Sequence, residues 1–174
     1  MGLVAIIGLS ACASTPKTDF DPSADFSQYR TFQWQYSENS TARELADPVY
    51  DSPLFEKKLE AAVANLMLDR GFEGSDTPDM YLTYHMADAK RKNYPVNFAI
   101  GYGRYSRHSY WNIYAPRLRD LQRDEVLVIV DALDANTQEL VWRGWTKTQR
   151  RSRPHSQSDM DRLAGKILAG FPPQ

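Results

Sequence analysis

The chain is 174 residues long, with 42% hydrophobic and 25% charged side chains and a formal net charge of −1. That length suits a single domain of roughly 100–200 residues behind a short leader, and the near-cancelling charge gives no global case for nucleic acid or an acidic partner. Cys12 is the only cysteine, which excludes an intramolecular disulfide and a cysteine-built metal cage.

An apolar run from Leu3 to Ala11 ends in Leu9-Ser10-Ala11-Cys12. Small residues before a cysteine, behind such a run, mark a processing site rather than a piece of fold. These four residues resemble the lipobox of bacterial lipoproteins. The resemblance implies a signal peptide over residues 1–11 and a Cys12 that carries diacylglycerol and palmitate as the mature N-terminus. A lone thiol in an oxidising compartment is also best kept when it is capped. The leader lacks a basic n-region and its apolar run is near the short end of roughly 7–15 residues, so it reads as truncated, with a start upstream of Met1. Met1-Gly2 does not open a myristoylation signal, because Ile6 stands where Ser or Thr is required. No later stretch approaches the roughly 20 apolar residues of a membrane-spanning helix. The expectation is a chain that is anchored and does not span. Ala13, rather than aspartate, after the cysteine points by the same resemblance to the outer membrane, facing the periplasm.

Ala13 to Ser23 is rich in Ser, Thr, Pro, Ala and Asp and reads as a flexible tether, giving a lipidated N-terminus and tether over 12–23 and one domain over 24–174. Tyr29 to Tyr36 alternates, with Phe32, Trp34 and Tyr36 on one face, as a half-buried strand does. Ser37 to Asp51 is polar and acidic and reads as a loop. Ser52-Pro53 supplies an N-cap and a first-turn proline. Phe55, Leu59, Ala62, Val63 and Leu66 then recur at helical spacing until Gly71. Met80, Leu82, Tyr84 and Met86 alternate with Tyr81, Thr83 and His85 as a second strand. Ala87 to Arg123 has no clean period; a short strand over Val96–Ile100 fits, and the rest reads as a long loop. Val126 to Val130 is a continuous apolar run, which suggests a central strand. Asp134 to Thr137 forms a turn, and Leu140 to Trp145 returns as the second arm of a hairpin. Ser158 with Asp161 reads as a capping-box variant before a final amphipathic helix marked by Met160, Leu163, Ala164, Ile167, Leu168 and Phe171, closed by Gly170 and Pro172-Pro173.

Strands in sequence with segregated helices predict an α+β two-layer sandwich: a mainly antiparallel sheet of four to five strands with two helices on one face. The other face is then expected to be more polar and open to a partner.

Several landmarks in order are similar to the domain-of-unknown-function 4136 family. They are Asp19-Phe20-Asp21, the stretch Phe26 to Trp34, Arg70-Gly71-Phe72, the stretch Asp79 to His85, Leu140 to Gly144, and Phe171-Pro172-Pro173. The resemblance covers nearly the whole mature chain. It implies a bacterial lipoprotein, and it carries no catalytic residues over to this sequence.

The residues offer little for catalysis. His85, His108 and His155 lie far apart, with no H-E-x-x-H or comparable ligand spacing. No G-x-S-x-G elbow is present, and Gly101-Tyr102-Gly103 is only a fragment of a dinucleotide fingerprint. Asp134-Ala135-Asn136 is not a calcium loop, because Gln138-Glu139 stands where a ligand and a glycine are needed. No metal or cofactor is expected. The stretch from Lys90 to Arg123 interleaves aromatics with cations, and Arg104, Tyr105, Arg107, Tyr110 and Trp111 are the candidate partner-binding residues. An envelope protein, a glycan or anionic lipid headgroups fit that chemistry; a nucleic acid does not fit the location. The expected function is a lipid-anchored, non-enzymatic envelope binding module. The alternative is a small envelope hydrolase using His85 or His108 with a carboxylate.

Overall fold

The structure, a computed structural model, describes residues 17–36, 52–88, 125–149 and 155–173. Among them a single sheet of six strands is built from β1 (Lys17–Phe20), β2 (Thr31–Trp34), β3 (Glu73–Gly74), β4 (Met80–Asp88), β5 (Glu125–Asp134) and β6 (Leu140–Gln149). Two helices, α1 (Pro53–Asp69) and α2 (Gln157–Ile167), complete it, and a 3-10 turn over Leu168–Gly170 follows α2. The spatial order is β1-β6-β5-β4-β2-β3.

The α+β class holds, with two corrections to the sheet. It has six strands, not four to five, and it is mixed. β1, β6, β5 and β4 pair antiparallel, whereas β2 runs parallel to both β3 and β4. The parallel pairs arise because α1 lies between β2 and the strands that follow it, and a helical crossover returns the chain in the same direction. The two extra strands are β1, with four residues, and β3, with two; neither carries the run of alternating aromatics that marks β2, which is also four residues long. β1 takes in Lys17–Phe20, inside the stretch whose composition suggested a tether, and pairs with Trp142–Trp145.

Both helices bury their apolar faces in one core. Phe55, Leu59, Ala62, Val63 and Met67 of α1 meet Met160, Leu163, Ala164 and Ile167 of α2 over Phe32, Trp34, Met80, Leu82, Tyr84, Met86, Val126, Val128 and Val130. Leu66, expected on the buried stripe of α1, is only partly buried. Tyr36, expected inward with Phe32 and Trp34, is exposed beyond the end of β2. The Ser52 hydroxyl caps α1 by accepting from the Leu54 amide. Gly71, at φ 85°, ends that helix in the left-handed region glycine tolerates. The capping box of α2 lies two residues earlier than the sequence suggested, on Ser156 and Asp159.

The family landmarks are the joints of this core. The Arg70 guanidinium donates to the carbonyls of Leu168 and Phe171, at 2.7 and 2.8 Å. The Phe171 ring packs against Phe26, Phe72 and Trp142. Gly144 leaves room for the Trp142 ring: a Cβ there would fall 2.3 Å from Trp142 Cη2 and 2.5 Å from the Ile167 carbonyl oxygen. At the start of β4, Asp79 Oδ2 accepts from the amides of Arg30 and Thr31 and from the Thr31 hydroxyl, each at 2.9 Å. The Asp79 amide donates back to Thr31 Oγ1. This exchange ties the beginnings of β2 and β4 together.

Candidate functional site

β5 is central, as its apolar run suggested, and it is buried on both sides. Val126, Val128 and Val130 face the helices, while Leu127, Ile129 and Asp131 on the opposite face are buried as well. That second face was expected to be open. Its middle is closed instead, and it contains the buried charges of the described residues.

Four register-matched positions cross this face in a row: Asp19 on β1, Arg143 on β6, Asp131 on β5 and Thr83 on β4. Arg143 Nε donates to Asp131 Oδ1 at 2.7 Å and Nη2 to Oδ2 at 2.6 Å, a bidentate fork. Asp131 is 4% exposed and Arg143 8%. His85, one pleat along β4 from Thr83, is 3% exposed and brings Nε2 to 3.3 Å from Asp131 Oδ2. Burial pushes the Asp131 carboxyl up, but the charge and hydrogen bonds of Arg143, with His85 added, outweigh it and hold the group well below the usual carboxylate range. Asp19 goes the other way. Partial burial raises it, and the Phe20 amide and Arg143 only partly offset that.

The pairing depends on one backbone irregularity. The turn closes with the Asp134 amide on the Glu139 carbonyl, and Leu133 stands opposite Leu140, yet Ala132 stands opposite Trp142. Val141 is thus an extra residue on β6, a β-bulge. Continued without it, the hairpin register would set Asp131 against Trp142. A one-residue slip turns every side chain to the other face. The bulge therefore sends Trp142 into the helix-side core and Arg143 to Asp131.

Chemically, the stripe is built around a charge-matched buried pair. Both Asp131 oxygens are occupied by the guanidinium, so the carboxylate is a poor proton acceptor. His85 Nδ1 is buried and makes no hydrogen bond among the described residues. Among the described residues no three His, Cys, Asp or Glu side chains converge as a metal site. His155, read as an isolated histidine, packs edge-on against Phe55, and its carbonyl accepts from Lys58 Nζ. Asp134 holds the turn through the Asn136 and Thr137 amides and receives the Tyr29 hydroxyl. Cys12, His108, Arg104, Tyr105, Arg107, Tyr110 and Trp111 lie outside the described residues, as do the expected Val96–Ile100 strand and the Ser37–Asp51 loop. In the sequence Arg143 falls within the family landmark Leu140 to Gly144, and Asp131 directly follows the apolar run Val126 to Val130, with nothing there to pair them.

The class defined by this geometry is an α+β domain with a mixed sheet, both helices in one core and a buried ion pair on the far face. The chain belongs to the family Domain of unknown function (DUF4136), which matches residues 16–173. The crystal structure of a PDZ domain protein from Parabacteroides distasonis ATCC 8503 is similar over 91% of this chain, with a TM-score of 0.54 and 12% identity. This chain spans 35% of that protein. The PelC dodecamer from Paraburkholderia phytofirmans is similar over 89% of this chain and 94% of its own, with a TM-score of 0.47 and 13% identity. At such identities the likeness concerns fold alone. No curated protein matches the sequence.

Proposed function

We propose that this protein is a lipid-anchored, non-enzymatic binding module of the cell envelope, held at Cys12 on the outer membrane and facing the periplasm. One observation carries the binding role. β4 and β5 pair antiparallel in unbroken register from Met80 opposite Asp134 to Asp88 opposite Val126. Two to five residues commonly close such a hairpin. The chain uses residues 89–124 instead, and this is the stretch that interleaves arginine with tyrosine and tryptophan. The sheet has no need of so long a connection, and long connections in compact domains are usually functional or disordered. Arg104, Tyr105, Arg107, Tyr110 and Trp111 within it would contact an envelope protein, a glycan or anionic lipid. The anchor has support from the lipobox-like sequence, and no helix among the described residues is long and apolar enough to cross a membrane.

The His85–Asp131 contact lends no weight to a hydrolase, because Arg143 already holds that acid. In-cell cross-linking from positions between Tyr102 and Tyr114 is expected to trap one specific partner; recovery of random neighbours alone counts against the binding role. Intact mass of the membrane-extracted protein is expected to show acylation at Cys12, with Cys12→Ser found in the soluble fraction or unprocessed. An unmodified Cys12 would remove the anchor.

A further inference from the structure

From the position of β1 we infer that the sheet is hung from the membrane by the Lys17 end of that strand, with the opposite, acidic end of the domain turned away from the lipid. The inference rests on the anchor proposed above and adds to it an orientation and a membrane-facing surface.

The reach of the chain sets the first constraint. β1 begins at Lys17, so only Ala13 to Pro16 separate it from Cys12. Five residue steps span at most about 18 Å when fully extended. A tether running to Ser23 would allow a much longer reach; with β1 starting at Lys17, that end of the strand stays within this distance of the anchor. β1 is also laterally fixed, because its four residues pair in register with Trp142–Trp145 of β6. The strand therefore transmits the position of the anchor to the whole sheet.

Charge supplies the second constraint. Lys17 is exposed and opposite Trp145, and on the neighbouring turn of the pleat Lys147 pairs with Glu125 at 3.5 Å. At the other end of the strands Asp21, Asp25 and Asp134 surround the Tyr29 hydroxyl, and they raise its pKa after burial has done so. Asp79 lies with them, since its carbonyl accepts from the Ala135 amide next to Asp134. Glu139 pairs with Asp134 across the turn, and Arg30 is the cation beside this group. An anionic headgroup surface attracts basic residues by about 1 kcal/mol each and repels acids, with the effect fading over a Debye length. Placing Lys17 toward phospholipid and the acidic end away satisfies both the tether and the charge. The reverse placement would strain the first and oppose the second.

The experiment uses the full acylated chain in vesicles of phosphatidylethanolamine and phosphatidylglycerol that include a headgroup-nitroxide lipid. With Cys12 acylated, a new cysteine is the one free thiol for a fluorophore. Lys17→Cys places the label at the β1 start, and Asn136→Cys places it on the exposed turn at the acidic end. Strong quenching at position 17 and little at position 136 is expected. A flexible Gly-Ser insertion between Pro16 and Lys17 is expected to reduce quenching at position 17. Equal quenching at both positions, stronger quenching at 136, or no response to the insertion overturns the orientation. Each counts only where intact mass shows Cys12 acylated; an unmodified cysteine instead overturns the anchor beneath it.

Discussion

A carboxylate shut away from water must have its charge met inside the protein. Asp131 meets that requirement through Arg143, with both oxygens on one guanidinium. Arg143→Met is expected to lower stability by about 3–5 kcal/mol, because it leaves the carboxylate buried and unpaired. The double variant Arg143→Met with Asp131→Leu should recover much of that loss, and urea denaturation of both proteins checks the difference. Asp79 makes a more exposed contribution with a definite sign. The Arg30 and Thr31 amides and the Thr31 hydroxyl hold its carboxyl below its ordinary value of 3.8. A group depressed in the folded state stabilises fully above its unfolded pKa and loses that contribution as pH falls through the folded one. Asp79→Asn should therefore melt below the unsubstituted protein at neutral pH, with the gap narrowing below about pH 4. Thermal melts across pH 7 to 2 test this, and a constant gap would refute it.

Among elements, those with many turns or pleats to repeat their pattern were the ones legible in the sequence. α1 shows its Ser52 cap, Pro53 and heptad-like stripe. β4 shows strict alternation, and β5 shows an apolar run because both its faces are covered. β3 escaped because two residues cannot establish a period, and β1 because Lys17-Thr18-Asp19-Phe20 lacks the alternating aromatics that mark the equally short β2. The start of α2 was misplaced by two residues because Ser156 and Ser158 both stand three before an aspartate, and only geometry distinguishes them. In the structure the Ser156 hydroxyl accepts from the Asp159 amide, and Asp159 Oδ2 accepts from the Ser156 amide. Ser156→Ala should consequently cost about 1 kcal/mol, while Ser158→Ala should cost far less. Comparison of their denaturation midpoints decides between the two caps.

For the molecule as a whole, the two-layer arrangement followed from element order, but the character of the second face did not. With both helices expected on one face, the other was expected to be polar and open, and nothing in the sequence signals the Val141 bulge that pairs Arg143 with Asp131. Read without that bulge, the hairpin places Trp142 where Arg143 belongs, and the charge of Asp131 has no partner. The stripe was illegible because it is a property of register, which a single extra residue resets. The lipobox-like Leu9-Ser10-Ala11-Cys12 and the aromatic stretch are the reverse case, visible in the sequence and outside the described residues.

The order of the strands has one more consequence. A sheet that ends in long, flat strands offers its unpaired amides and carbonyls to the next molecule, and fibres begin there. Here the ten-residue strands β5 and β6 lie inside, and the flanks are β1 and the two-residue β3. Among the described residues little template is left for stacking one copy on another, so this protein should resist ordered aggregation even at high concentration.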